Sequence, residues 1–240
     1  MIELDSGVFM EQVEDLVERK RWPDLRDMLI LLEPADIAGI WDELPMDRIP
    51  LLYRLLPKEL AAEVFVEMEP EQQELLIKSF SDNELREVLE EMYVDDTVDI
   101  IEEMPANVVR RILSQADPEM RKSINQILRY PENSAGSMMT TEYVSLRPNM
   151  TVEESILRIR RQGVDKETIY TCYVTEGRKL LGLVTVKDLL LCDDDETPIV
   201  DIMEENVISV STHDDQEQVA LMFSKYNFLA LPVTDNEGRM

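Results

Sequence analysis

The sequence predicts a multidomain chain, α followed by α/β: an all-helical superhelix of short stacked helices, then a repeated α/β module. Three observations predict it. Helix breakers recur about every 12 residues through the first half. After the stretch YPENSAGSMMT (130–140), valine and threonine become frequent and short β-like runs appear. Within that second half, one segment aligns with a later one.

The elements follow in chain order. Residues 8–20 read as a helix ending before Trp22-Pro23, so residues 1–24 form an N-terminal helical segment. From 25 to 130 the punctuation is Pro34, Pro45, Pro57 and Pro70, then SDN (81–83) and VDD (94–96), then Pro105, Pro118 and Pro131. Between these lie DIAGIWDEL, RIPLLYRLL, ELAAEVFVEM, QQELLIKSF, ELREVLEEM, TVDIIEEM and VVRRIL, whose apolar residues recur at helical spacing rather than in alternation. Proline near a helix start or just past its end fits this pattern. A ten-residue helix is only about 15 Å long and is marginal alone. A row of them must stack so that neighbours bury each other's apolar stripes. An irregular helical bundle is the alternative packing of the same segments.

Residues 131–137 read as a linker. In 138–197 and 198–240, YVSL, TIYTCYVT, LLGLVTV, VISVST and FLALPVTD read as strands. TVEESILRIRRQ, VKDLLL and QEQVALMFSKY read as helices, giving an α/β rhythm. The segment SMMTTEYVSLRPNMTVEESILRIR aligns with DIMEENVISVSTHDDQEQVALMFS, placing Met139 on Met203 and Val144 on Ile208; TCYVTEGRKLLG aligns with LALPVTDNEGRM. The first copy continues LVTVKDLLL where the second stops at Met240. The repeat therefore predicts that the second module is incomplete and that the chain is a fragment.

Charge narrows the function. With 51 acidic against 24 basic residues the formal net charge is −27. That disfavours nucleic acid, which needs a basic surface, and a bare anionic membrane for the same reason. It favours cations and basic protein surfaces. The acids are interleaved with apolar residues, as on charged faces of folded helices, and divalent cations would relieve their mutual repulsion. Cys172 and Cys192 suit a reducing compartment, and His213 is the single histidine, so histidine metal sites and catalytic triads are nearly excluded. No signal peptide is visible, and no apolar run approaches the ~20 residues of a membrane span. With 7 glycines, no phosphate loop and no nucleophile elbow, nothing points to an enzyme.

The cluster MYVDDTVDII (92–101) divides. At a helix start, Asp96 serves as a cap favoured by the macrodipole. Asp95 and Asp99, four apart, share a face that a cation would compensate. Glu90-Glu91 and Glu102-Glu103 read as solvated faces, and Met68, Met92 and Met104 as core.

The features MMTTEYVSL, TVEESILRIRRQ, YTCYVTEGRKLLGLVTV and TVKDLL resemble a tandem of CBS (cystathionine β-synthase) domains. With LLPKELAAEVF, LREVLEEMYVDDTVDII and YPENSAGSMMTTEYV before them, the chain resembles the cytosolic region of the MgtE family of magnesium transporters. The resemblance implies an MgtE-type helical N domain (25–130), a first CBS domain (138–197) and a second, incomplete one (198–240). It also implies a membrane channel to follow, at the cytoplasmic face of which this soluble region sits. In that family the region is a magnesium sensor and a homodimer through its CBS domains. Mg2+ between N and CBS domains, and between subunits, favours the compact, channel-closed state.

Carried over residue by residue, the resemblance places metal ligands at Glu63, Asp95, Asp99, Asp215 and Glu217. Asn227 stands where the family can carry an aspartate; it offers a carbonyl oxygen without the charge. Asp215 and Glu217 also suit a helix start without any metal. Magnesium takes hard oxygen ligands and few carboxylates per site. A site present only in the compact state contributes about 1.4 kcal/mol at tenfold excess over Kd. Switching from 1:99 to 99:1 takes about 5.5 kcal/mol, so about four sites must act together. For ATP, the resemblance implies Asp188 of Thr185-Val186-Lys187-Asp188 on the ribose, Lys187 on a phosphate, and Tyr170 and Phe228 stacking on the base. The alternative function is a soluble CBS regulator that senses adenine nucleotides, its helical domain docking a partner protein.

Overall fold

The computed structural model describes residues 6–240, with side chains from Met10 onward except Asp165. The first five residues of the expected N-terminal segment lie outside the described residues. Two compact units emerge. One comprises the chain up to Met92 together with Asp96–Arg121; the other comprises Tyr93–Asp95 and Lys122–Met240.

The first unit is helical. Its helices are α1 (Ser6–Glu18), α2 (Trp22–Leu29), α3 (Pro34–Asp42), α4 (Ile49–Tyr53), α5 (Lys58–Val66), α6 (Pro70–Ser79), α7 (Asp82–Glu91), α8 (Val94–Glu103, whose first two residues fall in the other unit), α9 (Ala106–Gln115) and the start of α10 (Pro118–Ile127). Proline stands at the first or second position of α2, α3, α4 and α6, where its missing N–H has no helical partner to lose. Pro57 and Pro105 immediately precede α5 and α9. The breaker spacing does not single out α2. There the Trp22-Pro23 pair starts a helix rather than closing one.

Helices of this unit pack on the one two places along: α3 on α5, α5 on α7, α7 on α9, and α4 on α6. This is the stacking that short amphipathic segments require. Trp41, Tyr53, Phe65 and Phe80 form its aromatic heart, with Tyr53 centred 6.1, 6.2 and 5.2 Å from Trp41, Phe65 and Phe80. Arg111 on α9 closes the end of α6, donating to the carbonyls of Ile77 and Phe80 and pairing with Asp82. Met68, Met92 and Met104 are buried, as their spacing predicts.

The second unit is α/β. Strand β1 (Tyr143–Leu146) pairs in parallel with β2 (Thr168–Glu176) across the helix α11 (Val152–Gln162). β2 pairs antiparallel with β3 (Lys179–Thr185), which runs into α12 (Val186–Leu191). In the second copy, β4 (Val210–Ser211) pairs in parallel with β5 (Val233–Thr234) across α13 (Gln216–Tyr226). The internal alignment that puts Met139 on Met203 also puts the first and last residues of α11 on those of α13. The expected strands VISVST and FLALPVTD shrink to two residues each, because β4 and β5 have only each other to pair with.

The core under the first sheet comprises Val144, Leu146, Val152, Cys172, Val174, Val184, Leu189 and Ile199. The stretch expected as a linker is sewn to the second copy. Ala135 and Gly136 donate to the carbonyls of Asp214 and Thr212, and Gln216 N–H donates back to Asn133. A side chain at Gly136 would stand 2.7 Å from the Thr212 carbonyl oxygen, so this close pairing needs glycine.

Candidate functional site

The α/β unit holds a cleft of 940 Å3, within the roughly 300–1,000 Å3 of small-molecule sites. One wall comes from β2, β3 and α12, the other from residues 204–208 and 227–232. The two walls are joined where Leu183 and Glu204 exchange backbone hydrogen bonds of 3.0 and 2.8 Å. That approach depends on Gly182, where a side chain would meet the Glu204 carbonyl oxygen and the Met203 sulfur, each at 2.8 Å.

Three of the four expected nucleotide residues line this cleft. Tyr170 stands out from β2 with 67% of its surface exposed. Lys187 projects from the first turn of α12. Phe228 follows α13, where Asn227 takes a left-handed conformation (φ 53°, ψ 43°) and turns the chain back. Asparagine tolerates that conformation better than most residues with a side chain. The Phe228 ring is stacked on Tyr226 at 5.3 Å and 23°. Leu183, Leu191, Ile208 and Leu231 complete an apolar lining, with Glu204 and Asn206 as polar groups. The arrangement can grip a flat ring between aromatic and aliphatic faces and offer one positive charge to an anion.

Asp188 is not among the residues lining the cleft. Its Oδ2 is committed to a capping box, accepting from the Thr185 N–H (3.0 Å) and hydroxyl (2.5 Å) while Asp188 N–H donates to the Thr185 hydroxyl (3.2 Å).

The expected metal ligands are placed as follows. Glu63 is exposed on α5. Asp95 and Asp99 are one turn apart on α8, which begins at Val94. Asp96 is therefore inside the first turn and not the residue that precedes the helix. The Val94 N–H donates to Glu142 Oε1 at 3.3 Å, a side chain distant in sequence. Crowding by neighbouring atoms raises the Asp99 carboxyl above its ordinary pKa although the residue as a whole is exposed. Asp215 caps α13, its Oδ1 accepting from Glu217 N–H at 2.9 Å. Asn227 closes the other end of that eleven-residue helix; at about 1.5 Å per residue the two ends are too far apart to share an ion. Among the described residues, no three carboxylate, imidazole or thiol groups converge as ligands of one ion. The donors suit hard cations that take one or two carboxylates and keep their water.

Two acids escaped the sequence reading. Glu142 accepts from Thr140 (3.0 Å) as well as Val94, and Glu167 has its pKa raised by desolvation and by Glu142. Glu167 and Asp95 both border a second cleft of the unit, of 730 Å3. Glu142 lies within MMTTEYVSL, but nothing in its local pattern marks an acid that reaches a helix start far away in sequence.

The sequence matches the MgtE intracellular N domain over residues 32–133 and the CBS domain over 135–194 and 199–240. A magnesium transporter MgtE of Thermus thermophilus is 39% identical over 221 residues, 90% of this chain and 49% of that protein. The chain spans about half the length of the curated relatives it matches over most of its own length. Among solved structures, the cytosolic domain of the Mg2+ channel MgtE in complex with ATP superposes with a TM-score of 0.89 at 36% identity, covering 96% of this chain and 94% of that one. The soluble part of a magnesium transporter gives 0.87 at 29% identity, covering 98% and 93%. Among the described residues no helix is long and apolar enough to cross a membrane.

Proposed function

The chain belongs to the MgtE family, matching its intracellular N domain and CBS pair, and from that premise we propose that it is the magnesium-sensing cytosolic region of a magnesium transporter or channel. The curated relatives it matches over most of its own length are magnesium transporters, not enzymes. The observation that carries the reading is likeness over nearly the whole chain to an MgtE cytosolic domain. In this proposal Mg2+ is bound by Glu63, Asp95 and Asp99 of the N-domain sequence and by Asp215, Glu217 and, more weakly, Asn227 of the second CBS module. Bound ions draw the domains together, and the region works as a homodimer through its CBS domains beneath its own membrane channel. Asp99 supports the proposal: a carboxylate whose charged form is disfavoured by its surroundings gains from a nearby cation.

Millimolar Mg2+ should compact the protein in small-angle scattering and slow proteolysis of the helical unit. Asp95→Ala with Asp99→Ala should blunt both changes while leaving the circular dichroism spectrum intact. Identical Mg2+ responses in wild type and double variant would remove these two residues as ligands, and no response in either would remove the sensor mechanism.

The cleft favours a second role for the same region, binding of an adenine nucleotide. Tyr170 and Phe228 offer stacking faces and Lys187 a phosphate contact. Base stacking is worth about 1–3 kcal/mol per aromatic, so Tyr170→Ala should weaken ATP binding by about tenfold in calorimetric titration. Unchanged ATP affinity in Tyr170→Ala and Lys187→Gln would move the ligand out of this cleft.

A further inference from the structure

A third cavity, of 530 Å3, lies on the first CBS copy, away from the groups assigned above. It is lined by Arg147 from the turn after β1, by Arg158 and Arg161 one turn apart on α11, and by Asn149, Glu154 and Gln162. Arg19, Arg21, Arg54, Arg111 and Arg239 pair with carboxylates, while exposed arginines such as Arg26, Arg129 and Arg160 make no ion pair among the described residues and are open to water instead. The three arginines of the cavity also lack a protein partner: among the described residues, none of their guanidinium groups makes an ion pair or side-chain hydrogen bond. The Arg158 Nε is shielded from solvent with no hydrogen-bond partner.

The acid within reach is spent elsewhere. Glu154 Oε2 accepts from the Thr151 N–H at 3.1 Å in the capping box that starts α11. It stands four residues before Arg158, the spacing of a helical ion pair, and still does not pair with it. Three guanidinium groups against the one carboxylate of Glu154 leave the cavity net positive, and a buried unsatisfied donor costs free energy. Both costs disappear if an anion with several acceptor oxygens enters. Guanidinium forks match phosphate oxygens two at a time, and Asn149 and Gln162 add neutral polar groups at the margin.

We propose that this cavity binds a phosphate group, held by Arg147, Arg158 and Arg161. Free phosphate compounds and phospholipid headgroups present the same chemistry. The site is separate from the nucleotide cleft, with which it shares no lining residue.

The test uses the 240-residue chain in magnesium-free buffer, titrated calorimetrically with inorganic phosphate. In parallel, the chain is sedimented with vesicles containing or lacking phosphatidylglycerol. Arg158→Gln and Arg161→Gln should each weaken phosphate binding by about tenfold, the usual value of one charge-assisted contact. Arg160→Gln, on the same helix but outside the cavity lining, should leave it unchanged. Arg161 is exposed, so its variant reports on binding even if Arg158→Gln perturbs the fold. Arginine-dependent phosphate binding without vesicle binding supports a soluble ligand; arginine-dependent binding to the anionic vesicles supports a headgroup. No saturable binding of either probe overturns the proposal, as does binding weakened equally by Arg160→Gln. Arginine variants that alter only the monomer–dimer balance in sedimentation also overturn it, in favour of a contact between two copies. Because the magnesium and ATP experiments use other residues, their failure leaves this result interpretable.

Discussion

In the helical unit the large aromatic side chains are spent on one another. Trp41, Tyr53, Phe65 and Phe80 are buried together, and charged groups close helix ends or pair between helices, as Arg54 does with Glu84 and Lys58 with Glu87. In the α/β unit, by contrast, Tyr170, Leu190, Leu191, Leu221 and Leu229 remain largely exposed, the three arginines of one cavity make no ion pair among the described residues, and Asp188 of α12 is tied up by its own cap. The large aromatics of the first unit serve packing, whereas Tyr170 and Phe228 of the second line a cleft. A stacked row of short helices buries most of its apolar stripes between neighbours, whereas a repeated α/β module leaves a groove where its two copies meet.

Exchanging truncations between the units is the most forceful way to break this contrast. Phe65→Ala removes a buried ring and should lower the unfolding free energy by about 3–5 kcal/mol, read by chemical denaturation. Tyr170→Ala removes an equally large ring that is mostly exposed and should change stability by no more than about 0.5 kcal/mol. Comparable losses at both positions would mean that the cleft wall is structural, and the division between the units would fail.

This division explains what was legible in the sequence. The helical unit could be read almost element by element, because proline at a helix start and an apolar stripe are both local signals. The strands β1 to β3 and the helices α11 to α13 were equally plain. Less legible were features set by distant partners. β4 and β5 are short because only one neighbour pairs with each. The start of α8 is met by Glu142 from another part of the chain. Asp188 looks from its motif like a group free to hold a ligand, yet its Oδ2 serves the local cap. The arginine cavity left no trace either, since Arg147 and Arg158 meet only through the turn that opens α11.

Capping sharpens the comparison at smaller scale, since both units use the same device. Ser81 accepts from Glu84 N–H at 3.2 Å at the start of α7, and Thr185 from Asp188 N–H at 3.2 Å at the start of α12. Ser81→Ala and Thr185→Ala should each cost about 1 kcal/mol in the denaturation of the unit concerned. Thr185→Ala also removes a hydroxyl donor from Asp188. If that carboxylate contributes to the ATP site, this variant alone should alter ATP affinity. Affinity unchanged by both Thr185→Ala and Asp188→Ala would confine Asp188 to capping.

The smallest expected effect is one of pH, and the two units should respond in opposite directions. In the helical unit, the hydrogen bond from Arg54 and the N–H of Ser81 hold Glu84 at about 2, below its ordinary 4.5. A carboxyl depressed in the folded state contributes stability above its ordinary value and loses it as pH falls towards the folded value; because Glu84 is largely solvated, salt should reduce the effect. Glu167 in the α/β unit behaves the other way. Desolvation and the charge of Glu142 raise its pKa, so its ionised form is a penalty at neutral pH that vanishes below the ordinary value. Glu167→Gln should therefore raise the melting temperature of the α/β unit at pH 7 and confer no gain below pH 4.5, whereas Glu84→Gln should lower that of the helical unit at pH 7 and have little effect near pH 2. Mg2+ sharpens the test. If a cation binds near Glu167, it relieves the same repulsion, and the neutral-pH advantage of Glu167→Gln should shrink as Mg2+ is added. An advantage indifferent to Mg2+ would make the penalty purely structural and place the ion elsewhere.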